Sequence, residues 1–111
     1  MASGVRQHPR YKVALPVEVS SPHDRVPVRA QVADICLGGC YVEMSFTKNV
    51  AAEVDLTLWV DGKKICASGI VVSSHPSFGN GIKFTHVAPD SQERLNNFVD
   101  GLKPNLLRGK R

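Results

Sequence analysis

Two arginines near the start of the chain are the first residues whose type and spacing suggest binding chemistry. Arg6 and Arg10 lie four positions apart in the segment RQHPR. Pro9 lacks an N–H donor and disfavours helix at His8, so we expect an extended or turned segment with both guanidiniums on the same side. A guanidinium donates two parallel hydrogen bonds to a phosphate, or to O6 and N7 of guanine. The pair therefore suits an anionic ligand, although a solvated basic terminus is the simpler interpretation of this segment taken alone.

The second candidate is the segment DICLGG, which begins at Asp34 and ends at Gly39. An ionised aspartate accepts two hydrogen bonds, and the N1–H and N2–H groups of guanine are donors that match it. The two glycines allow positive φ and a close approach of the backbone to a ligand. By itself the segment is also typical of a tight β-turn in which the aspartate makes an Asx hydrogen bond.

Composition restricts the class of ligand. The chain has 111 residues, which is the size of one domain, with 42% hydrophobic residues and a net charge of +4. Four of the 14 basic residues and none of the ten acidic ones follow Asp100. The first 102 residues are therefore neutral overall, which argues against a broad surface that tracks nucleic-acid phosphates. A small anionic ligand bound at one place remains compatible with this charge distribution.

The cysteines and the hydropathy pattern indicate a cytoplasmic protein. Three cysteines, Cys36, Cys40 and Cys66, cannot all pair, and we expect reduced thiols. The sequence contains neither a CxxC pair of cysteines nor an HxxxH pair of histidines, so no metal site is predicted. No apolar run approaches the roughly 20 residues of a membrane span, and the opening residues contain no apolar stretch that could act as a signal peptide.

Period-2 alternation of apolar residues predicts six strands. They cover residues 11–19, 28–35, 40–46, 54–60, 64–74 and 81–87. In the third strand the alternation places Phe46 on the buried face. Pro16 in the first strand indicates an edge position or a bulge, and Gly69 in the fifth indicates a bulge or bend. Asp61–Gly62 predicts a type I′ hairpin turn, which needs positive φ at both central positions.

Only the last part of the sequence has helical periodicity. Its apolar residues recur at spacings of three and four and form one stripe, composed of Leu95, Phe98, Val99 and Leu102. We expect Asp90 or Ser91 to cap the first turn, with Glu93 completing a capping box. Six short strands followed by one amphipathic helix predict a small β-barrel or sandwich with the helix over one opening or edge.

Together the two candidate segments resemble the paired motif of the PilZ domain, RxxxR before the first strand and D/N-x-S-x-x-G at the end of the second. PilZ domains bind the bacterial second messenger cyclic di-GMP (c-di-GMP). Gly81–Phe84 is similar to the G-V/I-x-F of the family's last strand, and the resemblance spans roughly residues 5–102. It implies a mainly β fold, a six-stranded antiparallel β-barrel with a C-terminal α-helix. The expected organisation is a flexible N-terminal arm (1–10), a barrel with its helix (11–102) and a basic tail (103–111).

The resemblance also implies a role for each motif position. Arg6 and Arg10 would clamp guanine and phosphate groups from the arm, and Asp34 would hold the Watson–Crick edge of a guanine. The Cys36 position would contact the ligand near its phosphate or base, and Gly39 would let the backbone pass closely. The implied protein is a receptor and not an enzyme, with cyclic di-GMP as its ligand, no cofactor and an unidentified downstream protein as its partner. The arm, mobile when empty, would close over the ligand and thereby signal.

Cys36 departs from the family pattern, which has serine at this position. A thiol is a much weaker donor than a hydroxyl, and the loss of one neutral hydrogen bond costs about 0.5–1.5 kcal/mol. This departure supports an alternative, a degenerate PilZ-like module that contacts proteins and does not bind nucleotide. A thiol beside two arginines could also be oxidisable, although an inert substitution is the simpler interpretation.

Two further functional classes fit the residues less well. An oligonucleotide-binding barrel needs basic residues interleaved with exposed aromatics, and the neutral body argues against it. Tyr41 and Trp59 fall on the outer faces of their strands, where they could stack on a base or simply pack against the protein. An enzyme is the least suitable class, because the candidate bases and nucleophiles form no recognisable set.

Overall fold

Six antiparallel strands close into a barrel, and one helix follows them. The computed structural model describes residues 9–22 and 24–103. Its elements are β1 (Tyr11–Ser20), β2 (Val28–Cys36), β3 (Gly39–Glu43), β4 (Glu53–Val60), β5 (Lys63–His75), β6 (Gly79–Val87) and α1 (Pro89–Leu102). The strands are hydrogen-bonded in the order β1-β2-β3-β6-β5-β4, and β4 pairs with β1 to close the sheet. The predicted mainly β architecture is confirmed.

The barrel interior is filled by the alternating apolar residues of the strands. In β4, for example, Val54, Leu56 and Leu58 are buried while Glu53 and Asp55 are exposed. Helix α1 adds Leu95 and Val99 to the same core. The predicted apolar stripe is therefore confirmed, since these two residues are buried and the other two pack against the core. Within the described residues no helix is long and apolar enough to cross a membrane.

Turns and bulges occur where the residue types allow them. Asp61 and Gly62 both have positive φ, at 51° and 78°, as the predicted hairpin turn requires. The register of β5 against β6 shifts at Gly69, which confirms the predicted bulge. Pro16 lies just beyond the β1–β4 ladder, which begins at Val17, so its missing N–H interrupts no hydrogen bond of that ladder.

The predicted helix cap is wrong. Helix α1 begins at Pro89 after Ala88, and no side chain caps it. Ser91 instead faces the barrel, where its Oγ accepts a hydrogen bond from the backbone N–H of Cys66 at 2.8 Å. Because Ser91 is 2% exposed, this bond attaches the first turn of the helix to β5 and satisfies a strand donor.

The predicted burial of Phe46 is also wrong. β3 ends at Glu43, and Phe46 is 89% exposed. The chain turns away because the buried side chain of Asn80 holds the segment that follows. Asn80 accepts a hydrogen bond from the N–H of Lys48 at 2.8 Å and donates to its carbonyl at 2.9 Å. The ammonium of Lys48 in turn donates to Asp24 at 2.8 Å, which lowers the pKa of that carboxyl.

Replacing Asn80 by alanine should lower the free energy of unfolding by about 2–4 kcal/mol, because both backbone groups of Lys48 then lose their partner in a partly buried site. Urea unfolding followed by circular dichroism measures this change. The matched control is Asn97→Ala on the exposed side of α1, which should change stability by less than about 1 kcal/mol. If Asn80→Ala also lowered the free energy of unfolding by less than about 1 kcal/mol, the Asn80 side chain would not hold the Lys48 segment as described.

Candidate ligand-binding site

Strand pairing brings the two halves of the sequence motif together at one end of the barrel. Arg10 immediately precedes β1, and Asp34 lies near the end of β2. The two strands are antiparallel, with Lys12 opposite Asp34. As a result Arg10 Nη1 donates to Asp34 Oδ1 at 3.4 Å, across 24 residues of sequence. Arg6 lies outside the described residues, so its place in the site remains a prediction.

A β-bulge in β2 points Asp34 away from the core. Val32 and Ile35 are both fully buried although they are three residues apart, an odd spacing that strict alternation does not allow. The register of β2 against β3 shifts between Val32 and Asp34 and accommodates the extra residue. Without this bulge, alternation from Val32 would place the Asp34 carboxylate inside the barrel. The bulge therefore creates the polar surface of the site.

The Arg10–Asp34 ion pair is weak enough to exchange for a ligand. The two side chains retain 34% and 28% of their exposure, and the separation of 3.4 Å is long for a charged hydrogen bond. Pairs of this kind contribute about 0–1 kcal/mol. A dianionic ligand could therefore take over the guanidinium and leave the carboxylate free to accept hydrogen bonds from a base.

Gly39 is required by packing within the sheet. A Cβ built on this residue would collide with the carbonyl oxygen of Ile82 in β6. Gly39 pairs with Lys83 in that strand, so any side chain would push β3 and β6 apart. Close strand pairing is therefore sufficient to explain why this residue is glycine. That the backbone at Gly39 also passes close to a ligand remains a prediction.

The two cysteines of the β2–β3 hairpin are buried. Cys36 retains 8% of its exposure and Cys40 retains 1%. Burial, followed by the nearby charges of Asp34 and Cys36, raises the pKa of Cys40 to about 12. Its thiol is therefore protonated at physiological pH. Cys66 is exposed, and all three cysteines are free thiols, as predicted.

Two lysines beside the motif were not recognised from the sequence. Lys12 and Lys83 are exposed and lie opposite Asp34 and Gly39 in the neighbouring strands, so they add positive charge around the motif. Tyr41 faces Asp34 across the β2–β3 ladder. The places of the two lysines follow only from the strand register. Alternation already put Tyr41 on the outer face as a possible base-stacking residue, and the register adds that it lies beside Asp34.

One tryptophan and two histidines lie at separate places on the barrel. His75 has a partner beside the motif, because its Nδ1 lies 3.1 Å from the hydroxyl oxygen of Tyr41. Trp59 lines a different groove with Pro16 and Arg29, and His86 is exposed opposite Ser68 in the β5–β6 ladder. Among the described residues, no group of three potential metal ligands occurs.

Comparison with known proteins identifies the family of this chain. The sequence profile of the PilZ domain matches residues 5–101, which is most of the chain. The chain belongs to the PilZ domain family. Members of this family are binding modules, and the antiparallel barrel with its terminal helix is the architecture of their solved structures. A search of curated proteins finds no match.

Solved structures similar to this PilZ domain share its fold at low sequence identity. The inhibitor of motility MotI/DgrA of Bacillus subtilis matches with a TM-score of 0.74 and 16% identity, over 87% of this chain and 50% of that chain. The PilZ domain of YcgR from Escherichia coli, solved with c-di-GMP, matches with a TM-score of 0.72 and 13% identity, over 87% of this chain and 90% of that one. The PilZ domain of CeSA from a cellulose synthesizing bacterium matches with a TM-score of 0.64 and 21% identity, over 85% of this chain and 97% of that one. The chain thus spans half the length of MotI/DgrA.

The cysteines of this PilZ domain should differ sharply in reactivity. At about pH 8, a thiol reagent such as dithionitrobenzoate should modify Cys66 rapidly, because this residue is exposed. Cys36 and Cys40 should react only as the protein unfolds, because both are buried and the pKa of Cys40 is raised to about 12. Peptide mass mapping after timed labelling identifies the modified residues. Labelling of Cys36 as fast as Cys66 would contradict the burial described here and would favour the oxidisable-thiol alternative.

Proposed function

We propose that this PilZ domain is a receptor for cyclic di-GMP, with the binding site at the end of the barrel where the two motif segments meet. The contact of 3.4 Å between Arg10 and Asp34 carries the proposal, because it joins residues from both segments on one surface. The family match and the YcgR PilZ domain solved with c-di-GMP support the choice of ligand. No residue is assigned a catalytic role.

Charge supports a ligand with two phosphates. Cyclic di-GMP carries two phosphodiester groups and so two negative charges. Arg10 is accompanied by Lys12 and Lys83, which are exposed on strands next to the motif. The ligand draws Arg10 away from Asp34, and the weak ion pair opposes this exchange by about 0–1 kcal/mol. The freed carboxylate of Asp34 then accepts hydrogen bonds from the N1–H and N2–H groups of a guanine.

The arm (residues 1–10) provides the signal. Arg6 and Arg10 hold guanine and phosphate groups, and the arm closes over the ligand. Closure changes one surface of the barrel and with it the affinity for a separate protein partner. Cys36 and Gly39 are the remaining proposed ligand contacts beside Asp34, and Cys36 offers the ligand only the 8% of its surface that stays exposed.

The second candidate function is a PilZ-like module that contacts proteins without binding nucleotide. Cys36 is the observation that favours it. This residue occupies the serine position of the family motif, and it is only 8% exposed. A buried thiol donates a much weaker hydrogen bond to a ligand than an accessible hydroxyl does.

Isothermal titration with cyclic di-GMP tests the receptor function. Arg10→Ala and Asp34→Ala should each weaken binding by about 10- to 150-fold, because hydrogen bonds to charged groups contribute about 1.5–3 kcal/mol. Arg6→Ala should act in the same direction. Arg29→Ala is the matched control, since this arginine has a 90% exposed side chain at the other end of β2. No heat from the wild type at high micromolar protein, or equal binding by all four variants and the wild type, would refute the proposal.

Restoring serine at position 36 separates the two candidate functions. If the domain is a receptor, Cys36→Ser should tighten binding of cyclic di-GMP by up to about tenfold, because a hydroxyl restores one neutral hydrogen bond. If it is a degenerate module, neither protein will bind. Cys66→Ser is the control for a thiol-to-hydroxyl exchange away from the motif, since Cys66 lies on β5 next to α1. Equal affinity of Cys36→Ser and the wild type would show that position 36 does not contact the ligand.

A further inference from the structure

An open cleft adjoins the motif on the outer surface of the barrel. It has a volume of about 620 Å³, and we call it the aromatic cleft; its lining residues are Tyr41, Glu43, His75, Ser77 and Phe78. Strands β3 and β5 supply its walls, and the β5–β6 turn supplies Phe78, which is 74% exposed. The receptor site proposed above uses none of these side chains, and the outward position of Tyr41 left open whether its ring stacks on a base or packs against the protein.

The ring of Tyr41 is held in place from two sides. It packs on β6 at Gly79, where a built Cβ would lie 2.8 Å from Tyr41 Cε2. Its hydroxyl oxygen lies 3.1 Å from Nδ1 of His75, and the centroids of the two rings are 5.8 Å apart. An aromatic ring fixed in this way loses little further conformational freedom when a ligand stacks on it.

The aromatic cleft is continuous with the motif. Tyr41 lies directly opposite Asp34 in the β2–β3 ladder, so their Cβ atoms are about 4.5–5.5 Å apart. Glu43 is two residues farther along the same face of β3, a displacement of about 7 Å. Two carboxylates thus lie on one face of the sheet, with an aromatic ring beside both.

This combination of side chains suits a guanine base. Aromatic rings stack on the π face of any base, and the contribution is about 1–3 kcal/mol per base. A carboxylate adds selectivity, because it accepts hydrogen bonds from the N1–H and N2–H groups of guanine, whereas adenine has no donor at either position. Glu43 is exposed on the cleft and has room to make these bonds.

We propose that the aromatic cleft is a guanine-binding pocket, in which Tyr41 stacks on the base and Glu43 accepts hydrogen bonds from its Watson–Crick edge. The inference rests on the proposed receptor function. Asp34 holds one guanine of cyclic di-GMP, and the aromatic cleft holds the other.

The test compares affinities for cyclic di-GMP and cyclic di-AMP by isothermal titration. Tyr41→Leu should weaken cyclic di-GMP binding by about 5- to 150-fold, whereas Tyr41→Phe keeps the stacking ring and should stay within about fivefold of the wild type. Glu43→Gln should lower the preference for cyclic di-GMP over cyclic di-AMP by about tenfold or more, a change that a merely structural role would not produce. Glu53→Gln, an exposed acid on β4, is the matched control and should change neither value.

The outcomes separate this inference from the receptor function. If the wild type does not bind cyclic di-GMP, the receptor function fails and the pocket fails with it. If the wild type binds and both Tyr41→Leu and Glu43→Gln keep its affinity and preference, the pocket alone is overturned. Thermal unfolding shows whether Tyr41→Leu is folded, and if it is not, the Glu43→Gln result decides, because Glu43 is exposed. A nuclear Overhauser effect between a guanine proton and the Tyr41 ring would support the pocket independently.

Discussion

The β-bulge between Val32 and Asp34 is the constraint on which the candidate site depends. Closing the barrel requires Val32 and Ile35 to fill the core together, and only an extra residue between them makes that possible. The same irregularity turns the Asp34 carboxylate outward, where Arg10 meets it. One local departure from alternation therefore satisfies the apolar interior and also exposes the acidic group that the proposed ligand needs. The core and the polar surface are two results of one backbone feature.

Strong and weak interactions are segregated in this molecule. The contacts that hold loops and helix on the barrel are buried hydrogen bonds, such as those of Asn80 and Ser91, whose loss leaves backbone groups unpaired. The contact at the motif is an exposed, long ion pair that contributes little to stability. A binding surface with this arrangement can rearrange its charges without disturbing the fold. This separation is what a receptor requires if its ligand is to displace an internal contact.

Sheet packing and the proposed binding use the same residues for different reasons. Gly39 is required because a side chain would collide with the backbone of β6, and Gly79 leaves room for the ring of Tyr41. Glycines at a strand end can therefore be required by close packing between strands, and they do not by themselves indicate that a ligand approaches there. The proposed guanine pocket follows from such packing, since the ring lies against a glycine and faces an open cleft.

The sequence by itself determined the local structure of this protein. Alternation along the strands, the Asp61–Gly62 turn and the apolar stripe of α1 depend on residues close together in the chain, and the structure has all three. The motif also pairs Arg10 with Asp34, and the structure brings these two residues into contact, while their role toward a ligand remains a proposal.

Only the tertiary structure decided how distant residues meet. Phe46 and the helix cap were predicted wrongly, because Asn80 and the N–H of Cys66 act on them from more than 20 residues away. The partnership of Tyr41 with His75 likewise spans 34 residues. Strand register and barrel closure result from many weak contributions spread over the whole sheet, and no single segment of the chain contains that information.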